Sequence, residues 1–220
     1  MPNVILVRHG QASAGTDDYD RLSPLGIRQA SLLGEFWADH RFHIDAAFSG
    51  TLKRQQHTAE LVLSAMATPT ETTVLPALDE YNHVAVDSCH GGGVLSDGGS
   101  LSFDEYLNIM QRWQNAGEKN GESVESYQSF EQRGWQRIKQ TALEAKPDST
   151  LVFFTSGGIV STVLKNILSL NFEQTMHFIW QTRNASVTLL NVSEKHSYVI
   201  DYNGIPHLLA AKDKKLVTQI

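Results

Sequence analysis

The chain has 220 residues, 41% of them hydrophobic, enough for one substantial globular domain with an inserted cap. A formal net charge of −6 leaves no surplus of Lys and Arg to displace counterions, which argues against a nucleic-acid partner. One cysteine (Cys89), no apolar run near the roughly 20 residues that cross a bilayer, and a first strand starting at residue 3 together predict a soluble cytoplasmic protein, neither exported nor membrane-bound.

The first predicted element is the run Val4-Ile5-Leu6-Val7, whose β-branched residues read as a buried strand. Arg8-His9-Gly10-Gln11 follows directly. Charge at the carboxyl end of a buried strand is costly unless it faces a site, and in α/β sheets that end is where ligands bind. The tetrad points to an anion held by Arg8 beside a nucleophile, His9, and so to phosphate chemistry.

Ser23-Pro24 then opens a helix, with Ser as N-cap and Pro in the first turn, and Leu25, Leu32, Leu33, Phe36 and Trp37 share one face. A short strand over 46–49, a helix over about 52–66 and a strand near 73–75 lead to Leu78-Asp79-Glu80. From Tyr81 to Ser100 the periodicity stops and glycines cluster (Gly91, Gly92, Gly93, Gly98, Gly99), which predicts a loop or lid. Ser102 and Glu105 form a capping-box pattern for a helix carrying Tyr106, Leu107, Met110 and Trp113, closed by Gly117. Further predicted elements are a helix over about 124–145, a strand over 150–155, the turn Ser156-Gly157-Gly158, and a helix with Ile159, Val160, Val163, Leu164, Ile167 and Leu168 inward. Strands over 187–191 and 198–202 close the pattern as a hairpin. The alternation predicts a single α/β domain over 1–220, a three-layer α/β/α sandwich on a mostly parallel central sheet, with a lid insertion over about 81–120.

Four segments, taken together, resemble the histidine phosphatase superfamily in its phosphoglycerate mutase-like branch. They are Leu6-Val7-Arg8-His9-Gly10-Gln11; Leu22-Ser23-Pro24-Leu25-Gly26-Ile27-Arg28-Gln29-Ala30; Ser49-Gly50-Thr51-Leu52-Lys53-Arg54 with His57-Thr58-Ala59; and Asn184-Ala185-Ser186-Val187-Thr188 with Tyr202-Asn203-Gly204-Ile205-Pro206-His207-Leu208. The resemblance implies a metal-independent phosphatase acting on a small phosphorylated substrate without a cofactor, His9 carrying the phosphoryl group as a phosphohistidine. Chemically, a neutral imidazole attacking phosphorus splits one hard displacement into two easier ones.

Arg8 and Arg54 supply planar bidentate donors that keep their charge, suited to a dianionic phosphate. Gly10 allows close backbone approach, Gln11 can donate to phosphate, and the Gly157 and Gly158 amides at a helix start are further donors. Glu80, in the Leu-x-Glu setting that the resemblance implies for the acid, would protonate the leaving alkoxide and later activate water. Asp79, one residue away, points elsewhere on extended backbone. The departure is Ser156: the resemblance implies His-Gly here, and serine brings a hydrogen bond without a charge. A silent phospho-ligand binder is therefore the alternative, and a mutase is a close relative. Between Tyr81 and Gly117 the sequence carries one Lys or Arg, Arg112, which disfavours the second anion pocket that a mutase needs.

Two further patterns weaken on inspection. His90-Gly91-Gly92-Gly93 is like the oxyanion stretch of lipase-like hydrolases, but Phe154-Thr155-Ser156-Gly157-Gly158 lacks the first glycine of a nucleophile elbow. His83, Asp87, Cys89 and His90 match no closed zinc spacing, although His83 or His90 could stand in for the second histidine.

Overall fold

Alternation within two strands sets the layering of this computed structural model, which describes residues 1–13, 19–67, 70–94, 101–117 and 124–219. In β1 (Asn3–Arg8), Val4 and Leu6 enter one core while Ile5 and Val7 enter the other. In β4 (Thr150–Thr155), Leu151 and Phe153 join the first core and Val152 and Phe154 the second. Strands buried on both faces lose the polar half of their alternation, which is why both read as continuous apolar runs.

The sheet runs β3-β2-β4-β1-β5-β6, with β2 at Ala46–Ser49, β3 at Thr72–Val74, β5 at Val187–Asn191 and β6 at Tyr198–Gly204. β3, β2, β4 and β1 are mutually parallel; β5 pairs antiparallel with β1, and β6 antiparallel with β5, as the predicted hairpin. Helices α1 (Pro24–Asp39) and α2 (Lys53–Ala65) cover one face through Leu33, Trp37 and Val62. The other face carries α4 (Phe103–Ala116), α5 (Tyr127–Glu144), α6 (Gly157–Leu168) and α7 (Phe172–Gln181) through Met110, Trp113, Phe130, Ile159 and Met176. The three-layer α/β sandwich on a mostly parallel sheet is as expected, the sheet being mixed through the antiparallel pairings of β5 with β1 and β6.

The lid segment differs from its reading. It contains α3 (His83–Val86) and a π-helical turn over Asp87–Gly91, while Gly98 and Gly99 lie outside the described residues. Its second half is no detachable cover: α4 buries Tyr106, Ile109, Met110 and Trp113 in the main core. Side chains of that size each stabilise by about 1.5–3 kcal/mol when fully buried, so α4 belongs to the fold. Helix α7 was not anticipated, although its capping box, Asn171 with Gln174, was legible. Starts also shift: α5 begins after N-cap Ser126, and β3 one residue early.

Gly10 serves packing. A Cβ there would lie 2.4 Å from the Gly26 carbonyl oxygen, and one on Gly26 would lie 2.2 Å from the Gln11 carbonyl oxygen, so the loop after β1 touches the first turn of α1 backbone to backbone.

One buried histidine ties stability to pH. His207, in α8 (Pro206–Ala210), is 2% exposed, and neither ring nitrogen has a partner among the described residues. Burial lowers its pKa to about 4 from 6.5. The folded state binds its proton later than the unfolded chain does, so stability is retained above about 6.5 and lost as pH falls toward 4, by about 3 kcal/mol in all. Denaturant titrations at pH 7 and pH 4.5 should show this loss, and His207→Leu should shrink it; an equal loss in the variant would refute the assignment.

Candidate active site

The strand ends decide what meets here. Arg8 lies in register with Thr155 across the parallel β1–β4 pair, so His9 and Ser156 leave the sheet side by side. The His9 backbone is bracketed on both sides, its N–H donating to the Thr155 carbonyl (2.9 Å) and its carbonyl accepting from Ala185 N–H (3.1 Å). Ala185 takes a positive φ of 53°, and the Arg8 N–H reaches the Ser186 carbonyl (3.0 Å). The Asn184-Ala185-Ser186 segment therefore fixes the tetrad from the β5 side.

The imidazole is held in one tautomer. Nδ1 lies 2.7 Å from the Gly10 carbonyl, which can only accept, so Nδ1 carries the hydrogen and Nε2 the lone pair. Arg54 Nε–H donates to that Nε2 at 3.1 Å. Burial first, then the charges of Arg54 and Arg8, push the imidazole pKa well below the ordinary value, against a smaller opposing effect of the Gly10 hydrogen bond. His9 is thus a neutral base with its lone pair beside two cations.

The two arginines are tethered, which leaves their fields aimed. Arg8 Nη1 donates to the Thr182 carbonyl, and its buried Nε has no partner among the described residues. Gly157 lies beside that guanidinium, where a Cβ would be in ordinary contact, 3.6 Å from Arg8 Nε. Arg54, in the first turn of α2, gives Nη1–H to Asp20 (2.6 Å), and Asp20 also accepts the Lys53 N–H (2.8 Å). Thr58 closes the frame by accepting the Gly10 N–H (3.1 Å) and donating to the Arg54 carbonyl (2.7 Å). At the rim, the Tyr19 ring lies 5.6 Å from the Arg54 guanidinium carbon and 4.9 Å from the His83 ring.

Glu80 sits against the start of α6. Its carboxylate accepts the Gly158 N–H (2.8 Å) and the Tyr81 N–H (3.2 Å). A Cβ on residue 158 would lie 2.1 Å from the Glu80 carboxylate, so the glycine leaves the carboxylate its place at the helix start. Burial raises the Glu80 pKa; the Gly158 and Tyr81 N–H groups and both arginines oppose it and lose. Asp79 indeed points elsewhere, accepting from Thr51 N–H (2.5 Å) and Thr51 Oγ1–H (2.6 Å).

Three of the predicted site residues have protein partners. Ser156 has no exposed surface, and its Oγ accepts Gln55 Nε2–H at 2.8 Å. The Gly158 amide, read with Gly157 as a phosphate donor, is taken by Glu80. Gln11 is tied to α1, its N–H donating to Gln29 and its Oε1 accepting from Ser23 Oγ (each 2.8 Å). Gln55, Asp20 and Thr182 were missed: each lies far along the chain from its partner, and no local spacing marks them. Among the described residues, no group of three or more His, Cys, Asp and Glu is placed to hold a metal ion.

The family model for the histidine phosphatase superfamily (branch 1) matches residues 4–204. Adenosylcobalamin/alpha-ribazole phosphatase of Escherichia coli (strain K12) is 27% identical over 79% of this chain and 82% of its own. A 2,3-bisphosphoglycerate-dependent phosphoglycerate mutase of Rhizobium rhizogenes is 30% identical, but over 55% of this chain and 59% of that one. Among solved structures, the alpha-ribazole phosphatase of Shigella flexneri has TM-score 0.66 at 22% identity, covering 92% of this chain and 96% of that chain. The phosphoglycerate mutase of Bacillus anthracis has TM-score 0.68 at 20% identity, covering 96% of each. These two share the fold.

Proposed function

Because the chain belongs to the histidine phosphatase superfamily (branch 1), we propose that it is a metal-independent phosphatase hydrolysing a small phosphomonoester through a phosphohistidine on His9. The observation that carries this reading is the fixed, neutral imidazole with Nε2 unprotonated beside Arg54 and Arg8. Attack requires the Nε2 lone pair to pass from the Arg54 N–H to phosphorus, and that N–H then meets a phosphoryl oxygen. As the N–P bond forms, the ester P–O bond breaks, and the Glu80 proton goes to the leaving alkoxide. The Glu80 carboxylate next takes a proton from water; the oxygen of that water displaces His9 from phosphorus, and inorganic phosphate leaves. Arg8 and Arg54 offset the charge on the equatorial oxygens in both steps.

Hydrolysis is favoured over transfer between substrate positions. Arg112, the one Lys or Arg between Tyr81 and Gly117, gives its Nη1–H to the His90 carbonyl (2.9 Å). The test is turnover of p-nitrophenyl phosphate by the purified protein with and without chelator, and chelator-resistant release of phosphate is the expected result. Vanadate binding without turnover would favour the silent binder.

Glu80 also sets an expected pH profile. The acid must be protonated at attack, so kcat/KM should fall as pH rises through the Glu80 pKa, with the limb placed above the ordinary carboxyl range because burial raises it. Glu80→Gln should remove that limb and lower kcat/KM for alkyl phosphates by about 10²–10⁴-fold. A limb that survives in the variant assigns the proton to another group.

A further inference from the structure

Gln55 has no part in the steps above, yet it is fully buried among the residues that carry them. Its amide orientation follows from its partners: the Leu78 carbonyl can only accept, so Nε2 faces it at 3.0 Å, and the second Nε2 hydrogen goes to Ser156 Oγ at 2.8 Å. Gly50 makes room for the amide, since a Cβ there would lie 2.0 Å from Gln55 Oε1.

The Leu78 carbonyl takes a second donor, Thr155 Oγ1–H, at 2.7 Å. The three residues that end in the proposed acid are therefore pinned by different elements. Leu78 is held by Gln55 of α2 and Thr155 of β4, Asp79 by Thr51, and Glu80 by the Gly158 N–H of α6. One residue earlier, the Ala77 carbonyl accepts from Arg133 Nη1 (2.8 Å). The last two holds before Glu80 fix the plane of the Leu78 peptide and the side chain of Asp79, and they set the direction in which the backbone delivers the acid. Gln55 also directly follows Arg54, so one turn of helix carries both the phosphate clamp and the tether of the acid.

We propose that Gln55 is a positioning residue for proton transfer, holding the Leu78 carbonyl so that Glu80 meets the leaving-group oxygen, with Ser156 as the anchor of the Gln55 amide. The proposal rests on the reading of Glu80 as general acid. A misplaced acid harms substrates in proportion to their need for a proton, whereas a loosened fold harms all substrates alike.

The test compares kcat/KM, which reports the first chemical step, for an alkyl phosphate and for 2,4-dinitrophenyl phosphate, whose leaving group needs no proton. Gln55→Met keeps the volume and removes both donors. It should lose about 10- to 100-fold on the alkyl substrate and several times less on the dinitrophenyl one, the same pattern as Glu80→Gln. Thr155→Val, at the same carbonyl, should show that selectivity and serves if Gln55→Met does not fold. Equal losses on both substrates for Gln55→Met and Thr155→Val, with a selective Glu80→Gln, overturn the role of Gln55 alone. An unselective Glu80→Gln overturns the acid assignment and the positioning role with it.

Discussion

His9→Ala is expected to abolish turnover, lowering kcat by about 10⁴-fold or more, because no other group supplies the electron pair that opens the first step. The loss should be chemical. The backbone of residue 9 keeps its hydrogen bonds to Thr155 and Ala185, and Arg8 and Arg54 keep Thr182 and Asp20, so vanadate or inorganic phosphate should still bind. In the wild type, turnover of a radiolabelled phosphomonoester stopped with alkaline denaturant should trap phosphoprotein that is stable to alkali and labile to acid, as an N–P bond requires, and the variant should trap none. Activity within tenfold of wild type in His9→Ala would overturn the phosphohistidine reading.

Arg54→Ala is expected to lower kcat/KM by about 10³–10⁵-fold, the range found when an arginine that meets transition-state charge is removed. Three functions go at once: the charge at the equatorial oxygens, the N–H at His9 Nε2, and the pairing that neutralises Asp20. Arg54→Lys should recover little, because one ammonium cannot span Nε2 of His9 and the Asp20 carboxylate together. The residual activity should also change its pH profile. Arg54 is second only to burial in lowering the His9 pKa, so its loss raises that pKa toward 6.5. His9 is active when neutral, so residual activity should fall as pH drops through the raised value, an acid limb that the wild type shows only at lower pH. A variant whose pH profile matches the wild type would mean that Arg54 does not act on the imidazole.

What the sequence determined by itself was the chemistry offered and the layer order. The apolar runs of β1 and β4 announced strands covered on both sides, and the tetrad from Arg8 to Gln11 placed a cation and an imidazole at a sheet end, because the two periodicities and the cost of buried charge are local facts. The capping patterns at Ser23, Ser102 and Asn171 were equally local, each lying within one helical turn. Tertiary structure alone decided what each group is bonded to. Burial against two cations, from β1 and from α2, lowers the His9 pKa; the desolvation of Glu80 outweighs the Gly158 amide; and the Ser156 hydroxyl accepts from Gln55. Those outcomes join residues 45, 78 and 101 positions apart. A hydrogen bond or a lost hydration shell depends on distance and burial in space, and sequence spacing carries neither quantity beyond a helical turn or a strand pair.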